Sequence, residues 1–141
     1  MFLTFNMSKS NYSMYCFWDG FKLKIGICRS KKIKVLYRRL VKLVRGRSEE
    51  NFDVVKQMHF THVFECSTDG QVETLEKTLH QKFDEYRLKD ITGWKTEYLN
   101  SEVSVEEILQ EIRDYATKNK FSQVRCIYKN FYGLDNYEEM L

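Results

Sequence analysis

Proline is absent from all 141 residues, which removes the commonest marker of a rigid linker. With no low-complexity tract and no internal repeat either, the chain reads as a single domain over residues 1–141. No run approaches the roughly 18 apolar residues of a membrane-spanning helix, so no membrane partner is expected. The opening MFLTFNMSKSNYS lacks the basic region and long apolar core of a secretory leader. Cysteine is sparse: Cys16, Cys28, Cys66 and Cys126 lie far apart without CxxC spacing. That argues against a zinc site and for a reducing intracellular setting, either cytoplasm or, in a eukaryotic host, the nucleus. Phosphate-binding GxGxxG and GxxxxGK[ST], the metalloprotease HExxH and the GxSxG nucleophile turn are missing as well. His59 and His62, three apart in a strand-like run, are expected on different faces and so make no metal pair.

Acidic residues are missing from one long stretch. Residues 20–47 carry eleven Lys or Arg and no Asp or Glu, whereas residues 48–141 carry eleven basic and nineteen acidic residues. The net charge of +3 hides this asymmetry. A concentrated positive field favours a polyanion, of which nucleic acid is the commonest. A solvated helix face with no ligand is the plainer alternative.

What is present has clear periodicity. Met14 to Trp18 and Lys22 to Cys28 alternate like strands, and Asp19-Gly20 between them signals a two-residue hairpin. Ser30 can cap a helix in which Ile33, Leu36, Tyr37, Leu40 and Val44 form the apolar stripe. A charged loop spans residues 46–51, and an extended stretch falls within residues 52–66. Ser67 to Gly70 open a second helix with Val72, Leu75, Leu79, Phe83 and Tyr86 inward. Lys95 to Leu99 reads as a short strand. Ser104 and Glu107 form a capping box for a third helix ending near Lys118. The tail from Phe121, with Tyr128, Phe131, Tyr132 and Tyr137, either packs on the core or stacks on a partner. This order predicts an α+β fold with a small, mainly antiparallel β-sheet flanked by helices.

Within "FKLKIGICRS", residues 21–30, Gly26 interrupts an alternating strand on the face it shares with Lys24. Glycine costs about 0.5–1 kcal/mol inside a regular element and marks a bulge or a close backbone approach. Tyr15, Lys24, Arg38 or Arg39, Glu76 and His80 complete a polar set spread along the predicted strands and helices. Singly, each has an ordinary structural explanation.

Their joint order resembles the GIY-YIG nuclease superfamily. SMY at residues 13–15, KIG at 24–26, a helix arginine, LEKTLHQKF at 75–83 and GWKTEYL at 93–99 follow one another over roughly residues 12–100. The likeness is to the branch, common in phages and large DNA viruses, in which KIG replaces YIG. SMY lacks the GI of the first motif. Residues 101–141 then form a C-terminal helix and aromatic tail outside the nuclease-like core.

The resemblance implies a metal-dependent endonuclease that hydrolyses DNA phosphodiester bonds. Tyr15 takes the place of the first tyrosine, which orients or deprotonates water, and Lys24 that of the second. Arg39 falls on the phosphate-binding arginine, with Arg38 as the alternative. Glu76 takes the metal-binding position, for Mg²⁺ or Mn²⁺. His80, one turn away, is a proton shuttle, a partner of that carboxylate, or simply a helix-surface hydrogen-bonder. The late polar residue is Glu97 or Asn100. Lys31, Lys32, Lys34, Arg38, Lys42, Arg45 and Arg47 would contact the DNA backbone. Gly26 would keep the active-site floor clear of side chains, or serve strand packing alone. A catalytically degenerate module of the same fold that binds nucleic acid or protein is the alternative function. An interaction protein with an incidental basic patch is the third.

Overall fold

Alternation along Ser13–Trp18 and Leu23–Cys28 decides the architecture, because each strand sends its side chains to two different cores. The computed structural model describes residues 10–47, 50–119 and 123–132. In chain order the elements are β1 (Ser13–Trp18), β2 (Leu23–Cys28), α1 (Ile33–Arg45), α2 (Phe52–Val55), β3 (His59–Glu65), α3 (Asp69–Lys82), a 3-10 turn (Asp84–Tyr86), β4 (Arg87–Lys89), β5 (Lys95–Leu99), α4 (Val105–Lys118) and β6 (Arg125–Tyr132). The strands form one antiparallel sheet in the order β4-β5-β2-β1-β3-β6. The α+β class expected from the sequence is the observed one. No described helix is long and apolar enough to cross a membrane.

Met14, Cys16, Leu23 and Ile25 point to one face, where Val72, Leu75 and Leu79 of α3 and Ile108 and Ile112 of α4 cover them. Tyr15, Phe17, Phe60 and Val63 point to the other, under Leu36, Leu40 and Val44 of α1. Each fully buried leucine contributes about 1.5–3 kcal/mol, so the two apolar stripes hold α1 and α3 against opposite faces. Ile33 departs from the expected stripe. It is the first residue of α1 and is 56% exposed.

The helix starts are chemically specified. Thr68 and Gln71 form a reciprocal capping box at α3, and Ser104 Oγ accepts the Glu107 N–H at α4. Ser30 is not the cap of α1: the capping position is Lys32, and Ser30 Oγ accepts the Lys32 N–H two residues ahead. α3 stops at Lys82, and Tyr86 lies in the 3-10 turn that follows.

Between β1 and β2 the turn proper is Asp19 to Lys22, with Gly20 first of its two central residues at φ +97°. Asp19 Oδ1 accepts the N–H groups of Phe21 and Lys22, and its other oxygen pairs with Lys22 at 2.9 Å and Arg47 at 3.3 Å. In β3 a bulge falls where Cys16 pairs His62 and Phe17 pairs Phe60. Strict alternation fails there, and Phe60 and Val63, three apart, share one core. The odd spacing of His59 and His62 therefore does not set them on opposite faces as a regular strand would. They stack on Tyr132 and Phe64, at 4.2 and 5.8 Å between ring centroids.

The tail is partly a strand. Tyr128, Phe131 and Tyr132 belong to β6, which pairs with β3, and Tyr128 and Phe131 pack against the α1-side core. Phe121 and Tyr137 lie outside the described residues.

Candidate active site

The site is built where two strands part. β2 and β5 are joined by a single pair, Lys24 opposite Tyr98. Beyond it the β2 carbonyls of Ile25 and Ile27 take side-chain donors instead of a strand. His80 Nε2 of α3 donates to Ile25 O at 3.0 Å, and Arg39 Nη1 of α1 donates to Ile27 O at 3.0 Å. One partner comes from the helix above the sheet and the other from the helix below it. The opening between β2 and β5 is thus where the two faces meet.

A cleft of about 390 Å³ occupies this opening, lined by Tyr12, Ile27, Cys28, Arg29, Val35, Arg39, Glu73, Glu76 and Glu97. Glu76, His80 and Glu97 bring one potential ligand atom each within 4.8 Å of one another. Glu76 Oε2 lies 3.8 Å from His80 Nε2, and Glu97 Oε1 lies 3.5 Å from the Lys24 ammonium. Burial and the neighbouring Glu76 carboxylate push the Glu97 carboxyl above its usual range, against the opposing effect of Lys24. Two carboxylates facing each other in a half-buried cleft form a place for a cation.

Lys24 sits over the rings of Tyr15 and Tyr98, at 5.7 and 5.8 Å from their centroids. Burial, and then the negative charge of Asp19, push the Tyr98 phenol up to about 12. It stays neutral beneath the ammonium.

The expected residues divide into two groups. Arg39 and Glu76 line the cleft, Lys24 reaches it through Glu97, and His80 borders it through Glu76 while bonded to the strand backbone. The backbone bond fixes the proton on His80 Nε2, because a carbonyl only accepts. Tyr15 is 1% exposed and does not line the cleft. The Arg38 alternative points outward, and Asn100 is spent on a turn, where its Oδ1 accepts the Glu102 N–H. Of the two late polar candidates, Glu97 is the one in the cleft.

Gly26 answers to a tyrosine. A Cβ there would fall under 3.0 Å from the hydroxyl of Tyr15, its cross-strand partner. The close approach is the Tyr15 ring end, packed where residue 26 has no side chain.

Sequence reasoning missed Tyr12, Arg29 and Glu73. Tyr12 is held by its backbone N–H, which donates at 2.9 Å to Asp69 Oδ1 in the first turn of α3, and the Arg29 guanidinium lies 6.0 Å from its ring centroid. No periodic pattern marks a tyrosine just ahead of a strand; the one signal is an aromatic three residues before Tyr15.

The basic block is also divided. Lys32, Lys34, Arg38, Lys42 and Arg45 are exposed. Lys31 pairs with Glu65 at 2.9 Å, and Arg47 with Asp19 and Glu50. These two cations are already paired within the fold and tie elements together.

A family model for the T5orf172 domain matches residues 5–116, from ahead of β1 into α4. The chain belongs to the T5orf172 domain family. No curated protein and no solved structure gives a significant match. The T5orf172 match covers every residue that lines the cleft and the whole of α1. It suggests a nuclease-like or DNA-binding role for the domain.

Proposed function

We propose that this T5orf172 domain is a metal-dependent endonuclease of GIY-YIG type that hydrolyses DNA phosphodiester bonds in the β2–β5 cleft. The observation that carries the reading is the meeting of Arg39, from α1, with Glu76, from α3, in one small cleft beside a second carboxylate, Glu97.

The donor set fits a hard divalent ion such as Mg²⁺ or Mn²⁺, which takes one or two carboxylates and keeps several waters. Glu76 and Glu97 would hold it, and when bound it supplies positive charge to the phosphoryl oxygens. Arg39, anchored on Ile27 O by one Nη, keeps its remaining donors for a phosphate, whose geometry the guanidinium fork matches. Tyr12, the phenol among the cleft's lining residues, would face the phosphate and its attacking water. Lys24 holds Glu97 in place and adds charge, and Tyr15 positions Lys24 from below. His80, fixed to the β2 backbone, packs one turn from Glu76 with its Nε2 3.8 Å from that carboxylate. The exposed α1 cations would bind the DNA backbone with little sequence information.

The buried Tyr15 supports a second reading: a DNA-binding module whose original water-activating pair has been lost. Supercoiled and branched DNA incubated with the purified protein in Mg²⁺, Mn²⁺ or EDTA separates the two. Metal-dependent nicking supports the nuclease; salt-sensitive binding with no cleavage in any metal supports the module.

A further inference from the structure

The β4–β5 hairpin ends in a tip whose chemistry the cleft does not use. Asp90 N donates to Trp94 O at 2.8 Å, and Gly93 N to Asp90 O at 3.0 Å. Asp90 Oδ1 also accepts the N–H of Thr92 and of Trp94 and the Thr92 hydroxyl. The tip is thereby locked. What it presents is Ile91, fully exposed at 103%, and Trp94, exposed at 76%. A turn held this firmly does not need an isoleucine and an indole facing water, and polar residues would serve it better.

At the neck of the same hairpin Lys89 stands directly opposite Lys95. Like charges across a strand pair are destabilising. Asp84 pairs with Lys95, but Lys89 is exposed with no acidic partner among the described residues. The arrangement is a rigid aromatic and aliphatic tip with one unpaired ammonium, that of Lys89, at its neck, while Asp84 pairs with both Lys95 and Arg87. Nucleic acid has the complementary layout, with flat base faces between rows of phosphates.

Trp94 also lies only three residues before Glu97. At about 3.3 Å per residue, the tip is about 10 Å along β5 from the cleft. That is about three nucleotides at 3.4 Å each along one strand.

We propose that the Ile91–Trp94 tip is a base-contacting wedge: Trp94 stacks on a nucleobase, Ile91 fills the adjoining step, and Lys89 contacts a flanking phosphate. The proposal deepens the nuclease reading but rests on DNA binding, not on cleavage. Aromatic wedges of this kind partly unstack a duplex and favour mismatched, nicked or single-stranded DNA, where unstacking costs less.

The test is fluorescence titration in EDTA with Trp18→Phe protein, which leaves Trp94 as the only indole. The probes are a duplex, a mismatched duplex and a single strand of the same length. Trp94 emission should be quenched by DNA, most by the unpaired substrates. Trp94→Ala should weaken binding about tenfold, and Trp94→Phe should recover part of the loss. Phe21→Ala, an exposed aromatic at the β1–β2 turn, should change nothing. Emission unaltered at saturating DNA, or no DNA binding by the intact protein, overturns the proposal. So does an emission shift caused by phosphatidylserine vesicles or by raised protein concentration but not by DNA. If the domain cleaves no DNA in any metal while Trp94 is still quenched, the nuclease reading fails and the wedge stands.

Discussion

Tyr15 lies directly across the β1–β2 ladder from Gly26, and its hydroxyl fills the space in which a side chain at position 26 would begin. Gly26→Ala must therefore displace a ring that is 1% exposed and set 4.7 Å from Phe60. Overpacking of this kind costs about 1–3 kcal/mol, readable as a lower urea midpoint. Because the two side chains share one space, a cycle with Tyr15→Leu should show coupling of about 0.5–3 kcal/mol. Additive losses would mean that the contact is not the reason for the glycine.

The two tyrosines should separate by what their loss changes. Tyr12 faces the cleft and Tyr15 supports Lys24 from the core side. Tyr12→Phe should lower the cleavage rate about 10²-fold or more with little change in melting temperature. Tyr15→Phe should act more weakly on rate. Steady-state cleavage beside thermal unfolding of both variants reads the difference, and a larger rate effect at Tyr15 would reverse the assignment.

Salt should distinguish binding cations from structural ones. Replacing Lys34, Arg38 and Lys42 together should make the slope of log K against log salt less negative by about 3, near one for each lost phosphate contact. Lys31→Ala and Arg47→Ala remove ion pairs to Glu65 and Asp19 instead. They should lower stability and leave the slope unchanged. Filter binding between low and moderate salt gives both numbers.

Acid should act through Asp19. Burial raises its carboxyl, but the Lys22 ammonium and the N–H groups of Phe21 and Lys22 outweigh burial and hold it below its ordinary 3.8. A depressed carboxylate stabilises the fold fully above its unfolded value, and that contribution is lost as pH falls through the lower folded value. Asp19→Asn should thus be less stable than the native chain near neutrality, with the gap closing below about pH 4. Urea unfolding across that range measures it, and a constant gap would remove Asp19 from the acid response.

Much of the fold was legible because burial imposes a period. β1, β2, β5, α1, α3 and α4 follow alternating or 3.6-residue patterns that two cores enforce. α2, with four residues, and β4, with three, are too short to show a period. β6 contains Asn130 at φ +49°, and its register with β3 shifts, so its aromatic residues do not alternate cleanly. The candidate site was legible in Glu76 and Arg39, whose motif order survives in the sequence. The parting of β2 from β5 was not, since it depends on which carbonyls side chains capture. That parting decides for Glu97 over Asn100, while Tyr12 reaches the cleft from ahead of β1, and no spacing in the chain announces either outcome.

The most direct measurement is single-turnover cleavage of supercoiled DNA in Mg²⁺ or Mn²⁺ by the native chain, Glu76→Gln, Arg39→Ala and the double variant. One metal-and-phosphate centre requires each single change to slow cleavage about 10²–10³-fold. It also requires the double to be little slower than the worse single, as for residues that act as a unit. Cleavage by Glu76→Gln at the native rate, or losses that multiply in full, would contradict it.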